Sequence, residues 1–183
     1  MGGSLEQEEI IYINNQGAPY NTINNFVETG TYKGDTAIAA SKHFKNVYTI
    51  EICEPLYTDS VVRASNEGIR NINFLLGDSL QQLNNVLPNV LNGAVFFIDA
   101  HISGIDSSWN NVNRVPLIEE LKIILSYKIG PSVFIFDDLR LWKGKVWDWE
   151  HITNDSIIRK FIENEVEISH IFEKNDRFYV FTK

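Results

Sequence analysis

Residues 25–36, NFVETGTYKGDT, constrain this chain more than any other stretch, because an apolar strand runs straight into a turn that opens onto a helix. Gly30 and Gly34 bracket that turn and permit backbone conformations, and a close approach, that a side chain would block. A strand-turn-helix of this kind is either a tight connection or the binding turn for a nucleotide-like ligand. Glu28 stands at the carboxyl end of the strand, where the dinucleotide fingerprint has its first glycine. An acid there disfavours a diphosphate and suits a ligand that donates hydrogen bonds or carries positive charge.

The turn is not alone. Residues 47–51 read as a second apolar strand ending in Glu51, 23 residues after Glu28. An acid about 20 residues beyond such a turn is where doubly wound folds hold a ribose diol. Residues 72–79 give a third strand followed by Asp78 and Ser79, residues 95–99 a fourth ending in Asp99, and residues 133–138 a fifth ending in Asp137 and Asp138. Parallel strands finish on one edge of their sheet, so these carboxylates are expected to gather along a single crevice.

With these residues in hand, the chain resembles the class I S-adenosylmethionine-dependent methyltransferases from about residue 25 to its last residue. Their first motif is an acid, one residue, glycine, three residues, glycine; here it reads Glu28, Thr29, Gly30, Thr31, Tyr32, Lys33, Gly34. The resemblance implies S-adenosylmethionine as cofactor. It also implies cofactor contacts from that turn and Thr36, from the ribose-side Glu51 with Ile52, from the adenine-side Asp78 with Ser79, and from Asp99. The fold implied is α/β: a doubly wound, mostly parallel, seven-stranded Rossmann-like sheet with a C-terminal antiparallel hairpin and helices on both faces.

Composition agrees with one domain over residues 1–183, a leader over 1–24 and a core over 25–183. The chain has 183 residues, 44% of them hydrophobic and 12% aromatic, enough for a sizeable core. A formal net charge of −8 disfavours a duplex-binding role, which needs a basic stripe against phosphates, and makes an uncharged or cationic small molecule the expected acceptor. Cys53 is the single cysteine, so no internal disulfide can form, and a reducing, cytoplasmic setting is expected. No apolar run is long enough to span a membrane, and the first residues lack the pattern of a secretion signal.

Between the strands, helices are expected over residues 35–44, 54–66, 79–87 and 116–129. The last carries Leu117, Ile118, Leu121, Ile124 and Leu125 as its apolar face. Two β-patterned runs, 166–173 and 177–182, flank a polar turn and give the hairpin. Residues 8–13 read as a helix that either covers the cofactor side or mediates dimer contacts; a homo-oligomer whose neighbour closes the pocket is a corresponding expectation.

Acceptor chemistry falls to the last two strand ends. Methyl transfer from a sulfonium needs alignment and a deprotonated acceptor, which points to a hydroxyl-bearing small molecule and to His101, two residues past Asp99, as general base. A lone histidine is equally read as a hydrogen-bonded structural residue. The chain is similar, too, to the metal-dependent O-methyltransferases of the catechol type, whose resemblance implies magnesium or manganese on Asp99, Asp137 and Asp138. It departs from them in having Asp138 for an asparagine and Ala100-His101 after Asp99. Residues 102–114 form a polar stretch expected to act as a lid. Trp109, Trp142, Trp147 and Trp149 either wall a ligand or partner surface or pack over the sheet end. The competing classes are a non-methylating nucleotide- or sugar-nucleotide-binding domain and an NAD-dependent oxidoreductase.

Overall fold

The computed structural model describes residues 4–101, 114–146 and 148–183. Seven strands, β1 (Asn25–Thr29), β2 (Asn46–Glu51), β3 (Ile72–Leu76), β4 (Val95–Ile98), β5 (Val133–Phe136), β6 (Ile168–Lys174) and β7 (Arg177–Thr182), form one sheet in the order β3-β2-β1-β4-β5-β7-β6. The pairs β3–β2, β2–β1, β1–β4 and β4–β5 are parallel. β7 runs antiparallel to β5 and to β6. The expected hairpin is therefore inserted with its second strand inside the sheet and its first on the edge.

Burial follows position. β1, β4, β5 and β7 are buried along their whole lengths, as strands covered on both faces must be, and β4 and β5 consist wholly of Val, Ile and Phe. β3, at the opposite edge, is half-buried to exposed. The side-chain alternation of each central strand splits the core in two. Val27, Phe96, Phe134 and Phe136 face α4 (Ser79–Val86), α5 (Leu117–Leu125) and α7 (Asn154–Glu163). Phe26, Val95, Phe97, Val133, Ile135 and Tyr179 face α1 (Gln7–Asn14) and α2 (Asp35–Ala40). α3 (Glu54–Asn66) packs on β2 and β3, and α6 (Leu139–Lys143) is a single short turn after β5.

The leader belongs to this core. Leu5, Ile10 and Ile13 of the α1 segment are buried in the α2-side cluster, each stabilising by about 1.5–3 kcal/mol. The Leu5 amide donates to Thr36 Oγ1 at 3.0 Å, tying the leader to α2. The helix packs against the sheet on the side that also carries α2.

Helical boundaries move, among them the end of α4, at Val86 rather than residue 87. α2 ends at Ala40, four residues earlier than the apolar spacing predicts, and α5 spans Leu117–Leu125 within the longer predicted 116–129. α6 and α7 carry no sequence expectation, although Thr153 and Ser156 form a reciprocal capping box that announces α7. The expected lid, residues 102–114, lies outside the described residues except for Arg114, as do Trp109 and Trp147. Among the described residues no helix is long and apolar enough to cross a membrane.

Candidate active site

The strand order reverses between β1 and β4, so the carboxyl ends of these two strands open the crevice in which such sheets bind ligands. The glycine turn bends over it. Gly30 and Thr31 donate their amides to the Ile50 carbonyl at 2.9 and 3.2 Å, and the Asp99 amide donates to the Thr29 carbonyl at 3.2 Å. Gly30 has φ +85°, and a Cβ placed there would sit 2.7 Å from the Asp99 carbonyl oxygen. The close approach that demands glycine is thus to the backbone of the next strand. Gly34, φ +80°, caps α2 against Ser60, whose hydroxyl donates to the Tyr32 carbonyl at 2.9 Å.

The predicted cofactor residues divide into those that face the crevice and those that build its floor. Glu51 does both. Its carboxylate accepts from the Tyr32 amide at 2.7 Å and the Cys53 amide at 2.8 Å, fixing the turn to the end of β2. Tyr32, 45% exposed and in the left-handed region at φ 49°, and Ile52 stand open around it. Burial pushes the Glu51 carboxyl upward, against the pull of those backbone donors. Asp78 caps α4, accepting from the Leu80 amide at 2.9 Å, with Ser79 beside it.

Four of the predicted contacts are spent within the protein. Glu28 is 1% exposed and accepts from the Thr49 hydroxyl at 2.5 Å. Burial raises its carboxyl well above the ordinary range, and the nearby Asp99 and Glu51 charges add to this despite the Thr49 bond. Thr31 shares a 2.6 Å hydrogen bond with Thr49. Thr36 receives the Leu5 amide, and Thr29 donates to Glu120 Oε2 at 3.2 Å. The side chains of Glu28, Thr29, Thr31 and Thr36 therefore make hydrogen bonds within the protein that shape the turn from below.

On the other side of the switch point, His101 sits between two carboxylates. Its Nδ1 is 3.4 Å from Asp99 Oδ1 and its Nε2 is 3.0 Å from Asp138 Oδ2. Burial alone would lower the imidazole; the Asp99 and Asp138 charges overcome that, and the net shift is upward. Asp99 is itself raised, chiefly by burial. Trp149 packs edge-on against the imidazole at 5.4 Å and stacks on Trp142 at 5.9 Å. Both indoles are buried, and Trp142 Nε1 donates to Asn154 at 3.0 Å. These two tryptophans pack over the sheet end, and Trp149 also walls the histidine.

The expected metal trio is not what the fold assembles. Ligand atoms of Asp99, His101 and Asp138 lie within 4.8 Å of one another, whereas Asp137 turns away. The cause is strand alternation. Asp137 and Arg177 extend the Phe136–Phe178 register of β5 and β7 on the α1 side of the sheet, and Arg177 Nε reaches Asp137 Oδ1 at 3.1 Å. The same guanidinium, 4% exposed, binds Glu9 of α1, which also accepts from the Tyr179 hydroxyl at 2.7 Å. Asp137 is buried among charges rather than solvated. Asp138, at φ +65°, swings toward His101 and lies 2.5 Å from Arg140 Nη1.

Sequence reasoning missed Glu120, which is fully buried on α5. The signal was present: Leu117, Glu120 and Ile124 fall on one helical stripe, so the acid lies on the face read as apolar. Glu9 and Arg177 left no comparable trace, since each meets its partner only through the folded sheet.

No family model and no curated protein matches the sequence. Solved structures do. The O-methyltransferase TomG from Streptomyces achromogenes, in complex with S-adenosylmethionine, is similar over 98% of this chain and 81% of its own, at TM-score 0.59 and 14% identity. The chain has the class I methyltransferase fold. An O-methyltransferase from Bacillus cereus in complex with S-adenosylhomocysteine (TM-score 0.58, 15% identity, 96% and 89% covered) shares it. So does a ribosomal protein L11 methylase from Lactobacillus delbrueckii subsp. bulgaricus (0.57, 19%, 99% and 79%). At these identities the likeness is one of fold.

Proposed function

We propose that this protein is an S-adenosylmethionine-dependent methyltransferase acting on a hydroxyl of a small molecule, with His101 as the general base. The observation that carries it is the imidazole held between Asp99 and Asp138 at the end of β4, across the switch point from the glycine turn and Glu51. Neighbouring folds solved with S-adenosylmethionine or S-adenosylhomocysteine support the cofactor. An acidic crevice also favours a cationic sulfonium over a diphosphate.

In the reaction the acceptor oxygen attacks the methyl carbon, the carbon–sulfur bond breaks, and its electron pair returns to sulfur, leaving a neutral thioether. His101 takes the hydroxyl proton. Asp99 and Asp138 orient the ring and stabilise the imidazolium, and positioning of the two substrates supplies ~7–11 kcal/mol of the barrier reduction. The Asp99 and Asp138 charges hold His101 above its ordinary value, so the free imidazole that serves as base gains population as pH rises. Turnover is therefore expected to climb through an apparent pKa above 6.5.

A second reading rests on the same cluster. Asp99, His101 and Asp138 offer two carboxylates and one imidazole, a donor set that fits manganese better than magnesium. A bound ion would lower the acceptor hydroxyl's pKa and orient it. His101 would then be a ligand and could not serve as base.

Calorimetry with S-adenosylhomocysteine and with NAD tests the cofactor: binding of the first alone is expected, and binding of NAD alone sinks the reading. Labelled methyl transfer to a panel of phenols, with chelator and with added manganese, then separates the two mechanisms. Turnover untouched by chelator supports the base, whereas turnover that requires manganese supports the metal. Homocysteine-nucleoside binding without transfer to any hydroxyl acceptor favours the non-methylating alternative.

A further inference from the structure

Asp176 stands where hairpin chemistry favours glycine. β6 ends at Lys174 and β7 starts at Arg177, its partner in register, so Asn175 and Asp176 alone make the turn, left-handed at φ 52° and 64°. Two-residue turns with both central residues at positive φ favour Asn-Gly or Asp-Gly, because glycine adopts the second of these conformations at least cost. Here an aspartate fills that place, and its contacts give the reason. Its carbonyl accepts the Leu139 amide at 2.8 Å, its Oδ1 accepts the Arg140 amide at 2.7 Å, and its Oδ2 pairs with the Arg140 guanidinium. Leu139 and Arg140 are the first two residues of α6, and the opening amides of a helix have no partner within it. The hairpin turn supplies them.

That work ordinarily falls to the residue just before the helix, which is Asp138. An aspartate at this place usually has an extended backbone and accepts from the second or third helical amide. Asp138 does neither: it is left-handed at φ 65° and its side chain caps nothing, while the second amide, that of Arg140, is already taken by Asp176. The freed carboxylate turns to His101 instead, with Oδ2 at 3.0 Å from Nε2. The chain is also held on its other flank, where Arg177 Nε donates to Asp137 Oδ1 at 3.1 Å. Two adjacent hairpin residues thus grip the backbone on both sides of Asp138, and a left-handed aspartate persists where its surroundings over-determine it.

We propose that Asp176 is a positioning residue for methyl transfer: by capping α6 from the hairpin, it releases Asp138 from that duty and aims the Asp138 carboxylate at His101 Nε2. This rests on the reading of His101 as general base and adds to it a residue that acts through Asp138. Asp138 at Nε2 fixes the imidazole ring and sets which nitrogen carries the N–H of its neutral form.

Two substitutions in the full chain separate this role from turn formation. Asp176→Gly suits the turn but strips the Arg140 amide of its acceptor, so Asp138 reclaims that amide as an ordinary cap and leaves His101. Asp176→Asn keeps an oxygen for the amide and tolerates the left-handed backbone. In labelled methyl transfer to phenols over a range of S-adenosylmethionine concentrations, Asp176→Gly is expected to lower kcat roughly tenfold, the effect of one lost hydrogen bond, with the cofactor KM within about twofold. Asp176→Asn is expected to stay within about threefold of wild type in both. In protein carrying isotope-labelled histidine, the His101 ring resonances, identified by their loss in His101→Gln, should move in Asp176→Gly and keep their places in Asp176→Asn. A residue that merely closed the turn would be replaced by glycine without loss. Unchanged kcat in Asp176→Gly, or His101 resonances that stay in place there, overturns this inference alone; so does an equal loss in Asp176→Asn, which would assign the effect to charge. Wild type that methylates none of the phenols overturns the general-base reading, and this inference with it.

Discussion

The two halves of the crevice manage negative charge in opposite ways. On the β1–β2 side, Glu28 and Glu51 meet no cation among the described residues: hydroxyls and backbone amides hold them, and burial raises both. On the β4–β5 side, Asp99, Asp137 and Asp138 are interleaved with His101, Arg140 and Arg177. A half whose acids await positive charge is suited to hold a cationic, hydroxyl-rich ligand. A half whose charges already balance around an imidazole is suited to move a proton. Binding and chemistry are thereby separable by mutation.

The sharpest way to break that comparison is His101→Gln. Turnover should fall ~10²–10⁴-fold while affinity for S-adenosylhomocysteine changes less than about twofold; an equal fall in affinity would merge the two halves. Glu51→Ala attacks the other side and should weaken S-adenosylhomocysteine on the order of 100-fold, since it strips the Tyr32 and Cys53 amides of their acceptor as well as removing a ligand contact. Saturating cofactor should then restore most of the turnover, which a steady-state measurement at rising cofactor concentration would read.

Gly30→Ala touches both halves, because the turn rests on the Asp99 carbonyl. We expect a loss of about 2–4 kcal/mol in denaturant unfolding, from the left-handed backbone plus the steric overlap. Unchanged stability would mean the turn is free to move away from β4. The smallest effect belongs to Arg140→Ala. Arg140 is largely exposed, so solvent screens it; its removal leaves Asp138 more negative and His101 protonated to slightly higher pH. The alkaline rise in turnover should shift upward by a few tenths of a unit, and a downward shift would contradict the pairing.

Much of this was legible in order and little of it in depth. Continuous apolar runs ending in acids specify the sheet, and the glycine spacing specifies the turn, because both are properties of neighbours in sequence. Which way each acid points is a property of the sheet. Alternation from Phe26, Phe97 and Ile135 puts Glu28, Asp99 and Asp137 on the α1–α2 side, and that parity diverts Asp137 to Arg177. Thr29, one residue out of step with Glu28, faces α5 and finds Glu120. The hydroxyls of Thr31, Thr36 and Thr49 read as ligand contacts or as strand residues with equal ease. Their pairing under the turn depends on the β1–β2 register, which aligns Glu28 with Thr49.

The bond between Glu9 and Arg177 has a practical consequence for anyone shortening this protein. Starting it at Asn25 would discard more than an apolar plug: the guanidinium would lose its Glu9 counterion while keeping Asp137, and Tyr179 would lose the acceptor of its hydroxyl. The first turns of the polypeptide thus set the electrical balance at the rim that carries His101, although Glu9 lies 92 positions before it along the backbone.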